Sequence, residues 1–472
     1  MRRGENGGAL YRYDLKERKE EKVLDGASNF QLSADGKKLL YRSGQSFGVA
    51  DARAGLRPDE GRLDLSGLRM KLDPRAEQRQ IFDEAWRVFR DWFYDPAMHG
   101  ADWRKVKERY AALLPFVDHR AELDWLMGEM VGELEAGHTY ISEGDRPETP
   151  RVEGGLLGCD LAPDLSGRFR VARVLQGENW DEAYRSPLTE AGSEVREGEY
   201  LLAIDGVELT TRDNPFRPLE GKAGQLVALT VGPKPGFEGS RKVVVRTIAD
   251  EGELRYIDWV KNRAALVDRL SGGKVGYIHL PDTAEAGNRM LQKLFYPQTR
   301  KPALIVDDRY NGGGFIPVRI VEYLSRRTIA YWARRDVESM RSPAFAHDGP
   351  KAMLINGYSS SGGDALPYWF KTLKLGPLVG TRTWGGLIGL SGTPRFVDGG
   401  AAEVPAFRIY DATGKWVVEN EGVSPDVEVF DLPENFDETR DASIEKAVEL
   451  LLKELASRPA PEPPRPSPPR HQ

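Results

Sequence analysis

Short runs of alternating apolar and polar residues mark the start of the chain. The runs at 9–13, 30–33 and 39–41 have the two-residue period of β-strands, and Asp35-Gly36 supplies a hairpin turn before the third. A hairpin of two or three strands is only marginally stable by itself in water. This segment is therefore interpreted either as a hairpin packed on the rest of the chain or as the last blade of a β-propeller whose other blades are missing.

The spacing of apolar residues changes at residue 73. Asp73-Pro74 is typical of a helix N-cap followed by proline at the first helical position. Apolar residues then recur at helical intervals as far as residue 136, which predicts three helices with aromatic and methionine residues facing a core. Gly137-His138-Thr139-Tyr140 follows the third helix directly, so we expect His138 on a short loop that can face a cleft.

Residues 153–248 return to a strand pattern that is punctuated by glycine turns. Strands are predicted at 169–174 and 200–204. The run from 186 to 206 resembles a PDZ domain, and Gly155-Leu156-Leu157-Gly158 stands where such a domain has its carboxylate-binding loop, whose backbone N–H groups hold a chain terminus. The alternative is a small β-domain that only spaces its neighbours.

From 252 to 432 apolar strands alternate with helical stretches. The strands are predicted at 274–280, 303–307 and 352–356, and the helices at 283–297, 315–325 and 363–374. This order is typical of an α/β layer, in which ligands gather at the carboxyl ends of the strands. A charged amphipathic helix at 440–456 precedes a proline-rich tail from Ser457, which we expect to be extended or unfolded.

Composition excludes several classes of protein. The 472 residues predict about three domains, and a net charge of −6 with interspersed signs does not favour nucleic acid as a partner. No apolar run approaches roughly 18 residues, so no membrane span is expected. Residues 1–8 lack the apolar region of a signal peptide, and we therefore expect a cytoplasmic protein.

No metal or cofactor site is predicted. The single cysteine, Cys159, excludes an internal disulfide and a cysteine-rich zinc site. The six histidines include no pair at metal-ligand spacing with supporting carboxylates. No glycine-rich loop ends in Lys-Ser or Lys-Thr, as a phosphate-binding loop would.

Two glycine-rich stretches follow predicted strands directly. In 358–364, Ser361 stands at a strand-to-helix turn, where its hydroxyl would be exposed and the following N–H groups can stabilise an oxyanion. In 308–314, three consecutive glycines allow a backbone amide to approach a ligand closely. Taken singly, each stretch is also typical of an ordinary loop, and His138 or Glu419 alone indicates little.

The order of these motifs along the chain resembles that of one family. Gly-His-Thr-Tyr, a PDZ-like insert, Asp-x-Arg-x-Asn-Gly-Gly-Gly, Ser-Ser-Ser-Gly-Gly-Asp and Glu-Asn-x-Gly-Val-x-Pro-Asp follow one another. This resembles the tricorn protease family, serine peptidases of the C-terminal-processing-peptidase type. The resemblance covers nearly the whole chain. Members carry two β-propellers before this region that are not recognisable here, so the chain is interpreted as a fragment or a reduced homologue.

The resemblance implies a multidomain α+β fold. Its parts are a propeller-like β remnant with a linker at 1–62, a helical domain carrying the histidine at 63–148, a PDZ-like domain at 150–250, an α/β peptidase core of the crotonase/ClpP-like type with a C-terminal helix at 251–456, and the proline-rich tail at 457–472.

The resemblance also implies a role for each motif. Ser361 would be the nucleophile, His138 the general base, and Glu419 the acid that steadies the imidazole. The N–H groups of Gly362 and Gly314 would form the oxyanion hole. No metal or cofactor takes part in this chemistry.

Two positions depart from the family pattern. A serine normally precedes the histidine and completes a tetrad with the glutamate, whereas this chain has Gly137. A water could replace the missing hydroxyl, or the imidazole is held less firmly. An acidic residue normally follows the nucleophile, whereas this chain has Gly362, which keeps the backbone donor.

The predicted function is that of a cytoplasmic serine endopeptidase acting on peptides or unfolded polypeptides, and the family implies a homo-oligomer, usually a hexamer. Asp336 lies near the family's specificity position and would favour basic P1 side chains unless Arg334 and Arg335 cancel its charge. The alternative is a catalytically weakened or inactive peptide-binding or scaffold protein that uses its PDZ-like domain. A third hypothesis is a ligand carrier on the same core, against which the presence of both His138 and Ser361 argues.

Overall fold

A computed structural model of the chain describes residues 2–3, 8–147, 149–457 and 463–467. The chain divides into two compact units, Met1–Glu77 and Gln78–Gln472. Most of the predicted proline-rich tail at 457–472 lies outside the described residues. In the part of the chain that is described, no helix combines the length and the apolar character that crossing a bilayer requires.

The first unit forms two antiparallel three-stranded sheets among its described residues. One consists of β1 (Arg2–Arg3), β2 (Leu10–Asp14) and β3 (Lys19–Leu24), and the other of β4 (Ala27–Leu32), β5 (Lys38–Ser43) and β6 (Ser46–Asp51). The predicted strands are confirmed as β2, β4 and β5. Strands β3 and β6 were not predicted, because β3 is rich in charged residues and β6 contains a glycine. The propeller interpretation of this segment stays a prediction.

Three helices follow, as the apolar spacing predicts. They are α1 (Pro74–Trp92), α2 (Trp103–Ala111) and α3 (Arg120–Gly132). Asp73 caps α1, since its Oδ1 accepts the N–H groups of Arg75 and Ala76 at 3.1 and 3.2 Å. The apolar faces of the helices share one core with Phe396 and Val404, which lie far along the chain.

A short strand ties the helical segment to the C-terminal half of the chain. Strand β7 (Tyr140–Ser142) pairs antiparallel with residues 401–403, at the start of a later strand. The loop that carries His138 is therefore anchored on one side by α3 and on the other by this pairing. The sequence pattern did not predict β7, because three residues are too few to show a period.

The PDZ-like segment is a β-domain. Its strands are β8 (Cys159–Pro163), β9 (Phe169–Val174), β10 (Tyr200–Ile204), β11 (Val207–Glu208), β12 (Leu226–Gly232) and β13 (Arg241–Arg246). Their order in the sheet is β13-β12-β10-β9-β8, with β11 paired to β10 and β8 at one edge. The inward-facing side chains form a separate core, which includes Phe169, Leu201 and Val231.

The C-terminal half contains a parallel sheet covered by helices. The elements in chain order are α4 (Gly252–Ser271), β14 (Val275–His279), α5 (Glu285–Met290), α6 (Tyr296–Gln298), β15 (Ala303–Asp307), α7 (Pro317–Ser325), β16 (Ala330–Trp332), β17 (Met340–Ser342), β18 (Lys351–Ile355), α8 (Gly362–Thr372), β19 (Leu378–Gly380), β20 (Ile388–Ser391), β21 (Ala401–Arg408), β22 (Val427–Glu428) and α9 (Ala442–Ser457). Short 3₁₀ turns elsewhere span Met98–Gly100, Leu114–Phe116, Glu182–Tyr184, Pro187–Thr189 and Arg217–Leu219.

The parallel strands run in the order β14-β15-β18-β19-β22. Strands β14, β15 and β18 are buried along their whole length, as parallel strands between helices usually are. The predicted helix 283–297 is interrupted: α5 passes through a π-helical turn, Leu291–Phe295, before α6. Pro297 explains the break, since its ring lacks an N–H and clashes with the preceding turn.

The sheet places both glycine-rich stretches at one edge. Asp307, the last residue of β15, pairs with Leu354 near the end of β18. The loops that follow these two strands therefore leave the sheet side by side, at its carboxyl edge.

Candidate active site

Ser361 occupies the turn between β18 and α8. Its φ of 55° is unusual for a residue other than glycine, and such strain is typical of functional turns. The backbone N–H of Ser361 donates to Oδ2 of Asp364 at 2.7 Å, which is one half of a capping box at the start of α8. The predicted strand-to-helix position of Ser361 is confirmed.

The triple-glycine run lies directly against this turn. A Cβ placed on Gly313 would be 2.7 Å from Cβ of Ser361, and one placed on Gly362 would be 2.8 Å from the nitrogen of Gly314. Gly314 has a φ of 136°, which only glycine adopts readily. The close approach, rather than flexibility, explains why glycine is needed at these positions.

Two backbone donors near the serine are free. Within the described parts of the chain, the N–H groups of Gly362 and Gly314 donate no hydrogen bond. A neighbouring bond fixes the two loops to each other, because the N–H of Ser360 donates to the carbonyl of Asn311 at 2.9 Å. Paired N–H groups beside a hydroxyl are the arrangement that stabilises a developing oxyanion.

Arg309 of the Asp-x-Arg motif has a structural role in the buried interior, and its side chain does not take part in the candidate site. Its side chain is completely buried and forms ion pairs with Asp307 at 2.6 Å and Asp441 at 3.0 Å. These contacts hold the loop after β15 to the start of α9. Removing one partner of such a buried set leaves an uncompensated charge.

His138 lies on the loop between α3 and β7, as the sequence predicts. The ring is half-buried; its Nδ1 pairs with the hydroxyl of Tyr140 at 3.0 Å, and its centroid is 5.4 Å from that of Trp384. Burial lowers the pKa of His138. The imidazole is therefore neutral near pH 7, which is the form a general base requires.

Glu419 contacts the residue before the histidine. It is buried, and its Oε1 accepts the backbone N–H of Gly137 at 2.7 Å. No group in the described ranges makes a hydrogen bond of good geometry with Oε2. Burial raises the pKa of Glu419, against the pull of the Gly137 N–H and of Arg408. The carboxylate therefore supports the histidine loop through the backbone.

The loop 383–386 connects the serine side of the site to the histidine side. The N–H of Trp384 donates to the carbonyl of Ser359 at 3.0 Å, and the N–H of Asn420 donates to the carbonyl of Gly385 at 2.7 Å. The serine side of the site is thus one contact group, made of Ser361, Gly362 and the glycine run. The histidine side is a second group, made of His138, Gly137 and Glu419. The loop 383–386 joins the two groups. No hydrogen bond links Ser361 to His138 among the residues described.

Asp336 lies on a different segment of the chain from both groups. It lies in the turn between β16 and β17, is exposed, and has a φ of 60°. Across the described residues it makes no hydrogen bond or ion pair with a residue of the candidate site. Its role in specificity stays a prediction.

Three of the four N–H groups in the presumed carboxylate-binding loop of the PDZ-like domain, residues 155–158, donate to acceptors within the chain. The N–H groups of Gly155 and Leu156 donate to backbone carbonyls at 2.8 and 2.7 Å. The N–H of Gly158 donates to the carboxylate of Glu251 at 2.8 Å. These donors are not available to the terminus of another peptide in this conformation.

Three further residues that line the candidate site were not predicted from the sequence: Asp364, Thr283 and Trp384. Asp364 could have been predicted, since an acid three residues after a helix-capping serine is the pattern of a capping box. The buried hydroxyl of Thr283 lies against Gly362. No sequence pattern predicts a site role for Thr283 or Trp384. Among the described residues, no group of three His, Cys, Asp or Glu side chains is placed to hold a metal ion.

Comparison with known proteins identifies three segments of the chain. Residues 74–132 match the tricorn protease C1 domain, residues 155–250 the tricorn protease PDZ domain, and residues 274–429 peptidase family S41. The match at 155–250 confirms the PDZ resemblance of that segment.

Full-length relatives extend the match to almost the whole chain. Two proteins of Streptomyces coelicolor, putative tricorn protease homolog 2 and tricorn protease homolog 1, are 38% and 37% identical over 96% of this chain, which covers 39% and 43% of them. The crystal structure of the tricorn protease superposes with a TM-score of 0.87 at 30% identity, over 95% of this chain and 44% of that one. The chain thus spans less than half the length of these relatives. It belongs to the tricorn protease family and carries that family's C1, PDZ and S41 domains.

Proposed function

We propose that this chain is a serine peptidase with Ser361 as the nucleophile and His138 as the general base. The observation that carries the proposal is the contact between the Ser361 turn and the glycine run, beside which the N–H groups of Gly362 and Gly314 have no acceptor among the described residues. Membership of the tricorn protease family supports it.

The proposed reaction proceeds in two halves. His138 takes the proton of the Ser361 hydroxyl as Oγ attacks the carbonyl carbon of the peptide bond, and the resulting oxyanion accepts hydrogen bonds from Gly362 and Gly314. The imidazolium then gives its proton to the amine nitrogen, which leaves as the C–N bond breaks. Water, deprotonated by His138, hydrolyses the acyl-enzyme and restores Ser361.

Glu419 supports this chemistry indirectly. Its carboxylate holds the N–H of Gly137, and its charge favours the imidazolium that forms during each half-reaction. The side-chain hydroxyl that would bridge the two groups in other members is absent. We therefore propose a Ser/His/Glu charge relay with a weaker link between the acid and the base.

Family membership supports our proposals for the substrates, the assembly and the compartment. We propose peptides or unfolded polypeptides as substrates, a homo-oligomer, with a hexamer as the family expectation, and a cytoplasmic location. Asp336 is proposed to select basic P1 side chains. Replacing it by alanine should lower the preference for arginine over leucine at P1 if the proposal holds.

A catalytically weakened protein is the second candidate. Two observations favour weakened catalysis. Residue 137 is glycine, and no direct hydrogen bond joins Ser361 to His138 in the described structure. A scaffold that binds chain termini through the PDZ-like domain is less favoured, because Gly155, Leu156 and Gly158 already donate to internal acceptors.

Ser361→Ala tests the proposal. Hydrolysis of a fluorogenic peptide and labelling by a fluorophosphonate should both fall to background in this variant. Ser360→Ala is the matched control, because its hydroxyl makes only a 3.3 Å contact with the carbonyl of Asn311 and its backbone bond survives the change. Equal labelling of wild type and Ser361→Ala would contradict the nucleophile assignment.

A further inference from the structure

We propose that Asp364 is a positioning residue that fastens the nucleophile turn to the loop 383–386 and so fixes the separation between Ser361 and the His138 side of the site. The proposal rests on the proposed function for its kinetic consequence, but its structural content can be measured independently.

The contacts of Asp364 reach both sides. Its side chain is completely buried. Oδ2 accepts the N–H groups of Ser361 at 2.7 Å and Gly386 at 3.2 Å, and Oδ1 accepts the N–H of Gly385 at 2.7 Å. Hydrogen bonds from backbone N–H groups to a carboxylate are stronger than those between neutral groups.

The loop held by Asp364 reaches the histidine and its acid. The ring of Trp384 lies tilted against that of His138, with the two centroids 5.4 Å apart. The carbonyl of Gly385 accepts the N–H of Asn420, next to Glu419. Cα of Gly386 would lie 3.3 Å from a Cβ on Gly137. A shift of this loop would therefore move the surroundings of the imidazole relative to Ser361.

A helix cap alone does not need this arrangement. Asp102 caps α2 with one hydrogen bond, from the N–H of Lys105 at 3.2 Å. Asp364 instead uses both oxygens on three N–H groups, two of which belong to a loop about twenty residues further along the chain. An asparagine could not replace it, because its NH₂ group would face N–H donors.

The influences on the pKa of Asp364 are consistent with a carboxylate that accepts several hydrogen bonds. Burial raises the pKa of Asp364, whereas the Thr383 hydroxyl and the N–H groups of Gly385, Gly386 and Ser361 pull it down. Loss of these donors would leave a buried carboxylate uncompensated, so the loop and the acid stabilise each other.

Asp364→Asn in the full chain tests the proposal by two measurements. Hydrogen exchange of peptides covering 383–387 should become faster by about tenfold or more, because Gly385 and Gly386 lose their acceptor. Fluorophosphonate labelling of Ser361 and kcat on a fluorogenic peptide should fall by about tenfold, with KM within about twofold, because the variant misplaces the reacting groups and leaves substrate binding intact.

Asp102→Asn is the matched control. It neutralises a helix-capping aspartate outside the site that holds a single N–H group, and it should leave exchange at 383–387 and labelling unchanged. Should Asp364→Asn fail to fold by circular dichroism, Thr383→Val is measured in its place. That variant removes a hydroxyl that interacts with Asp364 and should move both readouts in the same direction by a smaller amount.

The outcomes separate this proposal from the proposed function. A folded Asp364→Asn that exchanges and labels like wild type overturns the positioning role, as does faster exchange with unchanged labelling. A wild-type protein that neither hydrolyses peptide nor labels overturns the peptidase proposal instead, and exchange at 383–387 then still decides whether Asp364 holds the loop.

Discussion

The backbone N–H of Gly137 donates to the carboxylate of Glu419 at 2.7 Å, across 282 residues of chain. This bond ties the loop of His138 to the loop after β21. The other carboxylate oxygen is buried without a well-formed hydrogen bond in the described structure. A Cβ on Gly137 would lie 3.2 and 3.8 Å from the two oxygens. A hydroxyl on a side chain at 137 would therefore lie near the oxygen that has no well-formed hydrogen bond in the described structure.

Gly137→Ser should raise activity. The new hydroxyl would reach Glu419 and give its unpaired oxygen a donor, which holds the histidine loop more firmly. We expect kcat/KM to rise by about threefold to tenfold, the effect of one added hydrogen bond near 1 kcal/mol. Initial rates on a fluorogenic peptide measure this.

Gly128→Ser is the control for that change, since a Cβ there meets no atom within 4 Å. It should leave kcat/KM unaltered. Unchanged or lower activity in Gly137→Ser, with a normal fold, would show that Glu419 already supports His138 fully without the hydroxyl.

Glu419→Gln should reduce kcat while increasing stability at high pH. The amide oxygen can still accept the N–H of Gly137, but the charge that favours the imidazolium is lost, so we expect kcat to fall by about tenfold or more. The pKa of Glu419 is raised in the fold. Its contribution to stability is therefore present below its unfolded pKa and lost as pH rises through the folded one.

Thermal melting of wild type and Glu419→Gln at about pH 5 and about pH 8 checks the sign of this linkage. The melting temperature of the variant relative to wild type should be higher at the alkaline pH. A difference that does not change with pH would argue that Glu419 ionises as it does in the unfolded chain.

The pH profile of kcat/KM should show an acid limb set by His138. Burial lowers the pKa of this ring from its ordinary value of 6.5. Activity needs the neutral imidazole, so it should be retained at pH 6.5 and fall only as pH drops through the lowered pKa. The rate of fluorophosphonate labelling should follow the same limb, and an inflection above 6.5 would contradict the assigned environment.

Thr283→Val should stabilise the protein. The hydroxyl of Thr283 is completely buried and has no hydrogen-bond partner among the described residues. Replacing an unsatisfied buried hydroxyl by a methyl group of similar shape removes a cost of about 1–3 kcal/mol. We expect the melting temperature to rise by roughly 2 °C or more.

Thr299→Val is the matched control. That buried hydroxyl donates to the carbonyl of Tyr296 at 2.8 Å, so its loss should lower the melting temperature. Equal destabilisation by the two substitutions would mean that Thr283 has a partner, such as an ordered water, beside Gly362.

Local features of the site were readable from the sequence. The apolar run 352–356 followed by serines and glycines predicts a strand-to-helix turn at Ser361, and the structure places it there between β18 and α8. The spacing of apolar residues after Asp73 predicts three helices, which are present. Such features depend on hydrophobic periodicity, helix capping and glycine conformation. Each of these is determined by a few neighbouring residues, so it can be recognised in the sequence.

Contacts between distant segments required the fold. The sequence could not show that Glu419 holds the backbone of Gly137, that β7 pairs with β21 to anchor His138, or that Thr283 lies against Gly362. Each joins residues that are remote along the chain, and their meeting depends on how separate layers pack. The sequence alone thus determined which residues can do chemistry and on which local turns they lie, while tertiary packing decided which of them touch, because a period along one strand or helix carries no information about the partner that it meets.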